Sequence, residues 1–224
     1  MALLDDFEDY TDTADFRNTW EGYEAGFEIE TGDPVEGSQS TGCIQSNSRL
    51  ANPNITTEEG TTYSMVIDPG GTSDDPGCHF HVQNTGGNSE IFNNAHWCRI
   101  DLPGEQLELF ERENSSYGNI TTDATSESLS ADTLYRIEVR TDGTNVDAWL
   151  YNHDTDTEIA HCQHVETVSF NSGVFALYGD GTSSRYDLIE DDTTTVTEVE
   201  LVASGSGVGT GSGTVTRSKE MTGS

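Results

Sequence analysis

Alternation of period two recurs along this chain, and no stretch sustains the periodicity of an amphipathic helix. Between Leu134 and Arg140 the apolar Tyr135, Ile137 and Val139 fall on one face. Asp142-Gly143 then supplies a hairpin turn, and Val146, Ala148 and Leu150 form the next inward face. Further strands are expected at residues 64–68, 78–83, 97–102, 106–112, 173–179, 184–190 and 196–203. Turn clusters such as Asp68-Pro69-Gly70-Gly71 and Thr85-Gly86-Gly87-Asn88 separate them. Many short strands divided by turns predict an antiparallel sandwich or barrel. From Ser204 onward the composition shifts to Gly and Ser, so residues 1–203 are expected to form one all-β domain and residues 204–224 an extended tail.

The surface of such a fold must be strongly acidic. The 224 residues carry 41 Asp and Glu against 9 Lys and Arg, a formal net charge of −32, and Lys219 is the single lysine. Hydrophobic residues make up 32% of the chain, in spaced β-branched and aromatic runs, which argues for a packed core over disorder. Self-repulsion on this scale burdens a compact state in dilute buffer, whereas a Debye length of about 3 Å at molar salt removes it. A hypersaline organism or its virus is therefore the expected source. Nucleic acid is excluded as a partner, because no basic patch exists to neutralise phosphates. The opening Met1-Ala2-Leu3-Leu4-Asp5-Asp6 lacks the charged and apolar regions of an export signal, and no apolar run approaches the roughly 20 residues of a membrane span.

Several segments resemble a known superfold. Leu4-Asp5-Asp6-Phe7-Glu8-Asp9 with Trp20 is similar to the first strand of concanavalin A-like (laminin G-like) jelly-roll sandwiches. The run from Ser130 to Gly143 resembles their central strand pair, and that from Gly173 to Gly179, with Tyr186-Asp187, their closing strands. The resemblance implies an antiparallel jelly-roll β-sandwich. It leaves function open, since the superfold hosts lectins, glycanases, adhesion modules and viral parts alike. It also implies a Ca²⁺ site joining first and last strands at Asp6, Glu8 and Asp187, whose hard oxygens suit that ion.

Catalysis is not expected. The retaining glucanases of this superfold carry Glu-x-Asp-x-x-Glu on one strand, and no segment here has that spacing. Among the four cysteines, Cys78 and Cys98 fall on inward faces with Phe80 and Val82 and with His96, Ile100 and Leu102. If these strands pair, the two are opposite each other, as buried thiols or as a disulfide. A one-residue slip would gather His79, His81, His96 and Cys98 as a zinc-like set, but would turn Phe80 and Val82 to solvent. His161-Cys162-Gln163-His164 lacks a fourth ligand at convincing spacing.

One outward set stands out. With Val146, Ala148 and Leu150 inward, Asp147, Trp149 and Tyr151 must face out, and Arg136, Glu138 and Arg140 face out on the neighbouring strand. Such a face suits a covering segment, a subunit interface or a sugar-stacking platform. The expected role is a non-catalytic structural or receptor-binding component of a halophilic virus particle. Its expected partners are other virion proteins, copies of itself, or a host cell-surface glycan or glycoprotein. The alternative is a glycan-binding module or secreted carbohydrate-active protein, extracellular or on the surface of a halophilic archaeon.

Overall fold

The computed structural model describes residues 1–85, 91, 93–114, 116–167 and 170–193. The strand expected at 196–203 and the tail at 204–224 lie outside the described residues. In chain order the elements are β1 (Ala2–Asp5), α1 (Thr13–Thr19), β2 (Glu21–Gly22), β3 (Phe27–Glu30), β4 (Ser40–Cys43), β5 (Ser48–Glu58), β6 (Tyr63–Asp68) and β7 (Gly77–Val82). They continue as β8 (Ala95–Asp101), β9 (Gln106–Glu113), β10 (Ser116–Ala124), β11 (Tyr135–Thr141), β12 (Asn145–Asn152), β13 (Thr157–Val165), β14 (Ser172–Gly179) and β15 (Arg185–Asp191). The short helix was not expected. It is two turns long, too brief for a periodic signal, and is started by Asp12, whose carboxylate accepts the amides of Ala14 (2.8 Å) and Asp15 (2.9 Å).

The strands form an antiparallel sandwich. One sheet runs β13-β12-β11-β6-β15-β4-β3, with β1 also on β15; the other runs β10-β9-β8-β7-β14-β5-β2. The core between them takes Tyr135, Ile137 and Val139 from β11 and Val146, Ala148 and Leu150 from β12, as the alternation required. Facing them from the second sheet are Cys78, Phe80, Cys98, Ile100, Leu107, Leu109, Phe175 and Leu177. At one side the sheets meet edge to edge: Asn119 on β10 donates to the Val165 carbonyl (2.8 Å), and Asp123 accepts the His161 amide (3.0 Å).

The register confirms Cys78 opposite Cys98 and Phe80 opposite His96, so the slipped zinc-like arrangement does not form. The phase departs from expectation at the end of β7. His81 takes a left-handed backbone (φ 51°) where the pairing with β14 slips, and this bulge reverses the alternation. Val82 turns outward to pack with Ala51, Ala95 and Ala176, while the His81 ring meets those of Phe80 (5.8 Å) and His96 (5.6 Å).

Candidate functional site

Among the described residues, the outer face of the first sheet divides into a covered half and an open half. The segment between β3 and β4 lies over β15: the Glu36 amide donates to Asp187 Oδ2 (3.1 Å), and Arg185 pairs with Asp33 and Asp68. Glu36 also reaches His153 Nε2 (2.8 Å), beside the start of the open half. There the outward residues of β11, β12 and β13 form a strip. Tyr151 pairs with Arg136, Trp149 with Glu138 and His161, and Asp147 with Arg140 and Gln163.

Each ring of this strip is held by a neighbour. Trp149 lies against His161 with centroids 4.9 Å apart and planes 11° from parallel. His161 is fixed in turn by Asp147 Oδ1 (2.9 Å), which also accepts the Gln163 amide (2.7 Å). The Arg136 guanidinium sits 4.5 Å from the centroid of Tyr151 and is anchored by Glu138 (3.0 Å) and Asp156 (2.7 Å). Trp149, Tyr151 and Arg136 are half-buried, and Arg140 is exposed. All five expected site residues thus share one face, with one revision: Asp147 is only 6% exposed and braces the strip from below. His161 was missed as a member. Its neighbours Ala160 and Cys162 are buried in the core, and that parity was the available signal.

A second aromatic face went unexpected. On the outer side of the second sheet, His79, Trp97 and Phe110 stand in one cross-strand row, and Tyr178 packs edge-on to Trp97. Arg99 lies over Trp97 (5.2 Å) and is paired with Asp75 (3.1 Å) and Glu108; Arg49 lies over Tyr178 (5.0 Å). Here exposure decides the reading. Trp97, Phe110 and Tyr178 are 5%, 6% and 2% exposed, so their ring faces are spent on each other and on guanidinium groups. Tyr117, beneath Arg112 at 4.7 Å, is the exposed ring of this group.

The calcium site expected at Asp6, Glu8 and Asp187 does not assemble, because these carboxylates serve the chain's own donors. Glu8 accepts the amides of Ser38 (2.6 Å) and Gln39 (2.8 Å), Asp6 accepts the Glu8 amide (3.2 Å), and Asp187 accepts those of Leu188 and Glu36. Burial also pushes the Asp187 carboxyl up to about 7. Among the described residues no group of three or more His, Cys, Asp and Glu is placed to hold a metal ion. Cys78 and Cys98 are free, buried thiols, so of the two expected states the structure has the unbridged one. Burial pushes the Cys78 thiol well up, away from the reactive thiolate.

A cavity of about 420 Å³ near β1 is lined in part by Leu3, Leu4, Asp5, Tyr10, Asn52 and Ile55. Of the carboxylates that line it, Asp5 is already engaged: it accepts the Tyr10 hydroxyl (2.7 Å), the Trp20 indole (3.3 Å) and the Phe7 amide (2.9 Å). This is the anchor of the N-terminal aromatic group of Phe7, Tyr10, Phe16 and Trp20.

No protein-family model matches the sequence, and no curated protein matches it. Solved structures do match in fold. A protein of unknown function with a galectin-like fold from Bacillus subtilis aligns with a TM-score of 0.55 at 14% identity, over 77% of this chain and 87% of that one. The carbohydrate binding module CBM66 from Bacillus subtilis aligns with a TM-score of 0.51 at 14% identity, over 74% of this chain and 94% of that one. The chain therefore has a galectin-like, concanavalin A-like jelly-roll fold.

Proposed function

We propose that this protein is a carbohydrate-binding module that binds without catalysis, through the open strip on β11, β12 and β13. The observation that carries the reading is the pair Trp149 and Tyr151. These rings stand half-buried on a face turned away from the core, each with one ring face packed on His161 or Arg136. Rings so held lose little freedom when a sugar's C–H face stacks on them. Glu138, Arg136 and Gln163 lie between and beside them, within the same three strands, as partners for hydroxyl groups. The name of the structurally similar Bacillus subtilis module, a carbohydrate binding module, supports this reading over a virion role.

The test is a glycan array probed with the full chain, Trp149→Ala and Arg99→Ala. Binding by the full chain that Trp149→Ala loses and Arg99→Ala keeps supports the strip. Loss in Arg99→Ala alone would move the site to the other sheet, and no binding by the full chain would refute the function.

A further inference from the structure

We infer that the strip takes an extended, neutral polysaccharide laid along β12, in contrast to a terminal sugar or a charged glycan. The inference rests on the carbohydrate reading above and narrows it to a substrate class. Three features carry it.

Ring spacing comes first. Trp149 and Tyr151 are two residues apart on one strand face, which sets them about 7 Å apart along the strand. One sugar ring covers one of them, so engaging both takes neighbouring units of a chain. The polar partners follow the same axis. Arg136 and Glu158 stand beside Tyr151, Glu138 and His161 beside Trp149, and Arg140 and Gln163 beside Asp147. Hydroxyl partners are thus distributed along the strand and do not converge on one point, as capture of a chain end would require.

Charge is the second feature. Arg136 is neutralised by two carboxylates, Glu138 and Asp156, while Asp147 and Glu158 add further negative charge to the strip. Arg140 is the remaining cation on these strand faces, within a chain of net charge −32. A uronate or sulfate would meet an excess of negative charge along the strip, whereas a neutral sugar meets acceptors for its hydroxyls.

Rigidity is the third. The bulge between Leu150 and Tyr151 in the β12–β13 pairing places Glu158, a residue without a ring, beside Tyr151. One face of Tyr151 meets Arg136, and one face of Trp149 meets His161. The two rings are therefore held independently, and each should contribute its own stacking step.

The experiment is affinity electrophoresis of the full chain, at the lowest salt at which its melting curve shows it folded so that charge is not screened away, through gels containing neutral glucan, mannan, xylan or fructan, or the polyuronates alginate or pectate. Titration calorimetry with mono- to hexasaccharides of the retained neutral polymer follows. The expected result is retention by a neutral polymer only, with affinity rising at least tenfold from the mono- to the tetrasaccharide. Trp149→Ala and Tyr151→Ala should each lose at least tenfold on the longer chains. Retention by a polyuronate, or a monosaccharide that competes as well as the tetrasaccharide, would overturn the inference and leave carbohydrate binding intact. No retention by any polymer would overturn the inference, and the glycan array then decides whether carbohydrate binding stands. Melting curves check that each variant is folded; if Trp149→Ala is not, Tyr151→Ala and Trp149→Phe decide.

Discussion

Acid should loosen one particular end of the sandwich, where His81, His96, His164, Glu111 and Glu166 are gathered with little access to water. His96 and Glu111 are register partners on β8 and β9; His96 Nε2 stands 3.3 Å from Glu166, and His164 Nε2 stands 3.8 Å from Glu111. Glu111 in turn accepts the amide and hydroxyl of Thr167, pinning the chain that leaves β13 for the opposite sheet. His81 completes the group, its amide bonded to Thr57 Oγ1 (2.9 Å) and its ring facing His96. Burial, then the neighbouring His96, lowers the His81 imidazole from 6.5 to about 4, against partial support from the carbonyls of Phe170 and Glu58.

The sign follows from linkage. Between pH 6.5 and 4 the unfolded chain binds a proton at His81 that the folded chain refuses, so stability falls as pH falls through that window. From pH 7 to pH 5 the loss is about 2 kcal/mol, a large share of a typical margin of roughly 5–15 kcal/mol. His164 is lowered by burial too and pulls the same way. Asp187 opposes them: burial raises it from 3.8 to about 7, so the folded state gains from protonating it as pH drops. The raw curve of wild type therefore mixes both signs, and differences between variants are the clean readout. Urea unfolding of wild type, His81→Gln and Asp187→Asn at pH 7, 6 and 5 in molar salt supplies them. His81→Gln should lose about 2 kcal/mol less than wild type on acidification, and Asp187→Asn should lose more than wild type. A His81→Gln curve that parallels wild type would refute the burial argument.

Two further outcomes are expected. With 41 acids against 9 cations, the melting temperature should climb steeply from dilute buffer to molar NaCl, and a flat response would remove the case for a hypersaline setting. Ile137→Ala or Leu150→Ala should cost about 2–5 kcal/mol, and Asp147→Ala roughly 1–3 kcal/mol through the unpaired His161 and Gln163, against near zero for exposed Arg140→Ala; equal costs at all four would mean the strand phase is wrong.

What could be read from the sequence was parity. Three inward neighbours phase Trp149 outward whatever the rest of the chain does, and the same logic set Cys78 against Cys98. Parity fails where a strand is buried on both faces, because both residue sets are then withdrawn from water. Tyr63–Asp68 and Gly77–Val82 are buried at every position, and the aromatic row of His79, Trp97 and Phe110 hides on such a face. It also fails at a bulge: nothing in the composition around His81 marks its left-handed backbone. The covering of β15 rests on a bond between Glu36 and Asp187, 151 residues apart, and local pattern carries no trace of a contact that long. The misplaced calcium site has the same cause, since the amides that occupy Glu8 come from Ser38 and Gln39.

The placement of the arginines ties the site to the charge of the chain. In so acidic a protein each guanidinium has many carboxylates to choose from, and exposed ion pairs would be the default. Arg99 and Arg136 do form ion pairs, yet Arg49, Arg99, Arg112 and Arg136 each also lie over an aromatic ring, at 5.0, 5.2, 4.7 and 4.5 Å. Salt weakens an exposed ion pair by screening, but it does not remove the contact of a planar, weakly hydrated cation with a ring face. Stacked arginines therefore keep their contact with the rings under ionic conditions that weaken a bridge across the surface. On the first sheet the device leaves Tyr151 and Trp149 at the surface; on the second, rings and guanidiniums close on one another. The same chemistry thus leaves an open aromatic strip on one sheet and a sealed outer layer on the other, and the difference lies in how many rings each face supplies to cover its neighbours.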